Sequence, residues 1–212
     1  MPDTTAALGQ ALIELADATA GYKGPMLPPT LDITSFANQA LKEDAKLGDP
    51  ATIEAPVYDV LAHLELLFNA ACDHVRSLGT LLIGDRPSWF GYVAVTRAVI
   101  ETSCRQWHIA DSEIDVRERV HRHLLEWQYE LGSQTYHINH GYQGLPAAEM
   151  GQLQQWVDDN QRRITGWAAA QNLNLTKNGH LADRRLSPTE ALIGVLDADA
   201  AAQGQGGVLG RC

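Results

Sequence analysis

IEAPVYDVLAHLELLFNAACDHVRSLGTLL, residues 53–82, places Val57, Val60, Leu61, Leu64, Leu67, Ala71 and Val75 mostly three or four apart. That is the helical period, and a run of this length predicts a long core helix. Downstream, GDRPSW reads as a turn in which Pro87 suits a first helical turn and Ser88 supports the cap. The next helix, about Trp89 to Ala110, is apolar on two sides: Val93, Ile100 and Trp107 on one, Val95, Val99 and Ile109 on the other. Such a helix is expected to sit centrally. Asp111 and Ser112 then restart the chain as a cap, and Val116, Val120, Leu124, Trp127 and Leu131 mark the buried stripe of a helix ending near Gly132.

After a loop, GSQTYHINHGYQGLP, the residues Leu153, Trp156, Asn160, Ile164 and Trp167 form a three-and-four seam with one polar break. A polar connection, QNLNLTKNGHLADRRLSP, leads to Pro188 and a last short helix to about Leu196. Upstream, Asp3 or Thr4 caps a first helix to about Thr19, GYKGPMLPPTLDIT crosses as a Pro-rich segment, and SFANQALKEDAK is a short amphipathic helix. The expected fold is all-α, a single-domain helical bundle of five or six helices over residues 1–198. Its centre is expected to be an up-down core of the helices at about 54–79, 89–110 and 112–132. Residues 199–212 read as a flexible Gly/Ala/Gln-rich tail or a truncated loop.

Composition bounds the function. Of 212 residues, 45% are hydrophobic and 20% charged, which is enough to build a core and too apolar for a disordered chain. The formal net charge of −10 makes the protein acidic and opposes binding to phosphate backbones, so nucleic acid is not an expected partner. Residues Arg97 to His123, with five Arg, five acids and three His, are neutral rather than basic. Cys72, Cys104 and Cys212 show no CxxC spacing, which argues against a disulfide framework and for a reducing, cytoplasmic setting. No export leader and no apolar run of membrane-spanning length are present in the sequence, so no membrane association is expected.

The polar residues on helices give the candidate chemistry. Arg97, Glu101 and His108 fall within about 40° of one another at 100° per residue, with Cys104 about 20° to one side. They form a ladder that could tune an imidazole or set a thiol beside a base. The plainer reading is a structural tie, with Arg97 and Glu101 paired and mostly buried and His108 close by. His121 and His123, two apart, point about 200° from each other and cannot share an ion. His63 and His74 share a face with Leu67 and Ala70, and His137 and His140 lie in the loop. No metal or cofactor is expected: HExxH, EF-hand, GxGxxG, GxxxxGK[ST] and GxSxG patterns are absent.

The run RAVIETSCRQWHIADSEIDVRERVHRHLLEW resembles a pattern of uncharacterised actinobacterial and phage helical proteins, RAxxExxxRxxWxxDxxxxxxERVxRxL. The matching residues are Arg97, Ala98, Glu101, Arg105, Asp111, Glu118, Arg119, Val120, Arg122 and Leu124, with the aromatic one position early at Trp107 instead of His108. The resemblance implies a further helix after the Gly-rich loop, so the chain is expected to be a member truncated at its C-terminus. It is also similar, more distantly, to HEPN-type bundles, whose ribonuclease members use an Arg and a His with four to six residues between them. Arg117 and His123 stand at that spacing, with Glu118 where a polar residue usually follows the Arg.

The expected role is therefore a non-catalytic interaction or structural one, with a protein partner or homo-oligomer and with Trp156 and Trp167 as first anchors. The alternative is a HEPN-like ribonuclease or toxin component using Arg117 and His123.

Overall fold

The computed structural model describes residues 4–21, 36–84, 89–141, 146–187, 189–194 and 196. The Pro-rich crossing, Pro87, Ser88, Pro188, Cys212 and the tail from 199 lie outside the described residues. Six helices follow in order: α1 Thr4–Gly21, α2 Phe36–Leu47, α3 Pro56–Ile83, α4 Trp89–Ala110, α5 Val116–His140 and α6 Ala147–Ala170. A short helical stretch follows over 189–194. The fold is all-α, and among the described residues the only β feature is an isolated bridge between Leu175 and Leu181. The chain divides into two compact units, one of Met1–Leu31, Leu61–Asp111 and Leu186–Cys212, the other of Asp32–Val60 and Ser112–Arg185.

In the first unit α1 runs antiparallel to α3 through a glycine contact. A Cβ on Gly9 would sit 2.7 Å from the Gly79 carbonyl oxygen, and one on Gly79 would sit 2.6 Å from that of Gly9, so neither position admits a side chain. One turn on, Arg76 ties the pair by donating to Asp17 at 2.8 Å and to Asp73 at 2.6 Å. The Tyr92 hydroxyl of α4 donates to the Leu81 carbonyl at 3.0 Å, which satisfies one of the acceptors left open at the end of α3. The short stretch over 189–194 begins with a reciprocal cap: Ser187 N donates to Glu190 Oε2 at 2.8 Å and Glu190 N to Ser187 Oγ at 3.2 Å.

In the second unit α5 packs along α6, with α2 against α5. Val120, Leu124 and Leu131 of α5 and Val157, Ile164 and Trp167 of α6 are buried, as are Ile53, Val57 and Val60. The first amides of α3 are capped from outside the helix: Asp44 accepts from Val57 N at 2.6 Å and Tyr58 N at 3.2 Å. The loop between α2 and α3 closes tightly, and a Cβ on Gly48 would run into the Glu54 carbonyl oxygen. Trp167 Nε1 donates to the Leu47 carbonyl at 2.7 Å and Arg163 Nε to the Thr52 carbonyl at 2.9 Å, which fixes that loop on α6.

Two boundaries differ from the sequence reading. The cap of α5 is Asp115, not Asp111 or Ser112; its side chain accepts from Glu118 N at 2.7 Å. The same helix passes through Gly132 to His140, so His137 and His140 are helical, not in a loop. A solvent-facing glycine costs a helix only about 1 kcal/mol. Flanking contacts support the continuation: Thr135 Oγ1 bonds the Leu131 carbonyl at 2.9 Å, and Tyr136 stacks on His140 at 4.6 Å.

Two glycine substitutions are expected to act with opposite signs. Gly48→Ala should destabilise by roughly 1–3 kcal/mol, because backbone has to move away from the new methyl. Gly132→Ala should stabilise by roughly 0.5–1 kcal/mol, because nothing lies within 4 Å of the added Cβ. Urea midpoints at unchanged slope measure both.

Candidate functional site

The two apolar faces of α4 differ in burial. Ile109 is fully buried and Val95 and Val99 are half-buried, whereas Val93 is 59% exposed and Ile100 and Trp107 are 37% exposed. The expectation of a central α4 fails on this face. Phe90, at 89% exposure, extends the open stripe toward the start of the helix. The stripe borders a groove of about 580 Å³ lined by Tyr92, Val93, Thr96, Arg97, Ile100 and Glu101 of α4 and by Thr189 and Leu192.

The structure brings Arg97 and Glu101 together at this groove, Nε to Oε1 at 2.6 Å. The pair is not buried as expected: the Arg97 side chain is 77% exposed and that of Glu101 26%. Since α4 packs by its Val95, Val99 and Ile109 face, the ladder stands at the groove's rim. The Glu101 hydrogen bond, then its charge, holds the Arg97 guanidinium above its ordinary value. His108, two turns beyond Glu101, is half-buried and is not among the groove-lining residues. Cys104 is buried, and burial pushes its thiol up, away from the thiolate a nucleophile requires.

On α5 the residues proposed for RNA cleavage have separate partners. Arg117 is exposed and its Nη2 donates to the Gln171 carbonyl. His123 is buried and stacks on Trp127 at 6.0 Å. Trp127 also carries the Arg163 guanidinium over its ring at 5.8 Å. Of the two tryptophans proposed as anchors, Trp167 is fully buried and belongs to the core, while Trp156 is 49% exposed.

The sequence reading missed a polar set that joins α5 to the chain beyond α6. Arg185 Nε donates to Glu126 Oε1 at 2.7 Å, with both side chains largely buried, and its guanidinium lies 4.0 Å from the Tyr129 ring centroid. The ring nitrogens of buried His121 face two carboxylates, Nδ1 to Glu118 Oε2 at 3.4 Å and Nε2 to Asp183 Oδ2 at 3.3 Å. Glu118 and His121, three apart, were legible as a helical pair. Glu126 and Arg185 are 59 residues apart, and no local pattern links them.

Among the described residues no three His, Cys, Asp or Glu side chains are placed to share a metal ion. No described helix is long and apolar enough to cross a membrane. Comparison of the chain with protein-family models, with curated proteins and with solved structures found no match.

The surroundings of His63 on α3 disfavour its charged form. Burial, and secondly the charge of Arg105, hold it below the ordinary 6.5. The unfolded chain takes up that proton more readily than the folded one, so the stability tied to neutral His63 is complete above about pH 6.5. It is lost as pH falls below that value toward the lower folded one. Chemical unfolding across this range should show the wild type weakening relative to His63→Gln as the solution is acidified; parallel curves would contradict it.

Proposed function

We propose that this chain is a non-catalytic helical interaction protein and that the open apolar face of α4 is its docking surface. The observation that carries the reading is the exposure of Phe90, Val93, Ile100 and Trp107 on one side of a helix whose other apolar side is packed. Large apolar side chains gathered in a groove mark interaction surfaces far more often than scattered single ones do.

The lining residues on α4 run from Tyr92 to Glu101. At 1.5 Å per residue they span about 15 Å, close to three helical turns. The fitting occupant is an amphipathic helix of a partner protein that presents apolar anchors at i, i+3 or i+4, and i+7. At the rim, Arg97 and Glu101 supply one charge of each sign, which suits orientation better than raw affinity. The chemistry of the same region supports a binding role: the Cys104 thiol is held protonated, and Arg97 is already committed to Glu101.

The test is a double substitution, Val93→Glu with Ile100→Glu. Both residues are exposed at the groove, so folding stability should change by no more than about 0.5 kcal/mol per site. Binding of an apolar fluorescent dye, and any complex seen by light scattering or pull-down, should be lost. A strictly monomeric wild type with no partner, and dye binding unchanged by the substitutions, would sink the reading.

A further inference from the structure

The exposed stripe of α4 has the pattern of a surface that can pair with itself. Most soluble oligomers are built on twofold symmetry, and a twofold contact joins the same patch on both copies, so each residue needs its complement within that patch. Arg97 and Glu101 meet this condition, being about one turn apart and opposite in charge. A strongly acidic or basic partner would call for an excess of one sign at the rim, and the groove-lining residues carry one charge of each.

We propose, resting on the docking reading above, that the occupant of the groove is α4 of a second copy, laid antiparallel with the twofold axis level with Val99. At 1.5 Å and 100° per residue, this register sets Arg97 level with Glu101 of the second copy, and symmetry makes the contact twice. On the other side of the seam the Ile100 side chains of the two copies stand about 3 Å apart along the helix direction, and Val93 is equally close to Trp107 of the second copy. Thr189 and Leu192 flank the seam.

The charges can make these contacts without giving up the ones they have. Arg97 engages its own Glu101 through Nε. A guanidinium has five N–H donors, so its terminal nitrogens can reach a second carboxylate, and a carboxylate can accept from more than one donor. The Arg97 side chain, 77% exposed, has room to do so. Each chain carries a formal net charge of −10, so copies repel at long range, and a patch of balanced charge is where that repulsion opposes contact least.

Sedimentation equilibrium of the full chain at about 0.15 M salt, where screening shortens the repulsion to about 8 Å, should show a reversible monomer–dimer equilibrium. Arg97→Glu and Glu101→Arg, each alone, should raise the dimer Kd at least about tenfold, since each turns both contacts between copies repulsive. Mixed in equal amounts, the two variants should regain a dimer containing one of each, because two arginines then face two glutamates. A helix merely weakened by losing its internal pair would not be rescued by mixing. A monomeric wild type, reversals that leave Kd unchanged, or a mixture without the mixed dimer overturns the second copy as occupant. Should Glu101→Arg not fold, Arg97→Glu decides alone, an unchanged Kd overturning the proposal. The docking reading itself survives such an outcome as long as dye binding is lost in the variant carrying Val93→Glu with Ile100→Glu.

Discussion

The second unit depends on a carboxylate that water has partly given up. Burial raises the Asp44 pKa above its ordinary value, and the amides of Val57 and Tyr58 oppose that shift by hydrogen bonding to the charged form. The cost of desolvating the group is met by placing it at a helix start, where amide donors and the helix dipole both favour negative charge. Other contacts gather at the same place. The Leu47 carbonyl receives the indole of Trp167, the Thr52 carbonyl receives Arg163, and Gly166 admits the Thr52 methyl where a Cβ would come within 2.5 Å of it. α6 is thus positioned by backbone carbonyls of a loop, and that loop keeps its shape because Gly48 has no side chain.

The first unit is built on a different constraint. α1 and α3 approach until Gly9 and Gly79 face each other's backbone, which no larger residue permits. Arg76, more than a third exposed, joins Asp17 and Asp73 beside this crossing. An exposed pair contributes little to stability, so it selects the antiparallel register more than it strengthens it. α4 takes its place by the Val95, Val99 and Ile109 side, and the opposite apolar stripe is left more exposed, with Phe90 and Val93 its most open residues.

The helices were legible in the sequence because apolar residues recur at the period of the backbone, as in residues 53–82. Periodicity names a face and does not say what covers it. Val93, Ile100 and Trp107 therefore looked as buried as Val95, Val99 and Ile109, and Arg97 and Glu101 were placed in a core that α4 does not have on that side. Gly132 looked like a stop because the cost of a glycine can be read locally, while the Tyr136–His140 stack that helps carry the helix onward cannot. Asp115, with Glu118 three residues later, was a readable capping signal that Asp111 and Ser112 obscured. The Glu126–Arg185 pair was out of reach, since it joins residues that only the fold brings together.

That pair bears on why α5 buries so many polar groups. Arg119, His121, His123 and Glu126 are all nearly inaccessible on one helix, a pattern that in isolation invites a catalytic reading. A buried ion pair is a poor source of stability, because desolvating both charges offsets most of their attraction, and well-packed apolar residues do as well or better. Its distinctive property is that a wrong alignment is costly. Shifting residues 181–185 by one position would leave Glu126 facing a backbone that cannot neutralise it, and would lift Arg185 from the Tyr129 ring. An apolar contact would tolerate such a slip. The segment between α6 and the last helical stretch is otherwise polar and short of hydrophobic anchors, with Leu181 the one buried apolar side chain among its described residues. Glu126 on α5 thus ties residues 181–185 at a point where hydrophobic burial offers little hold.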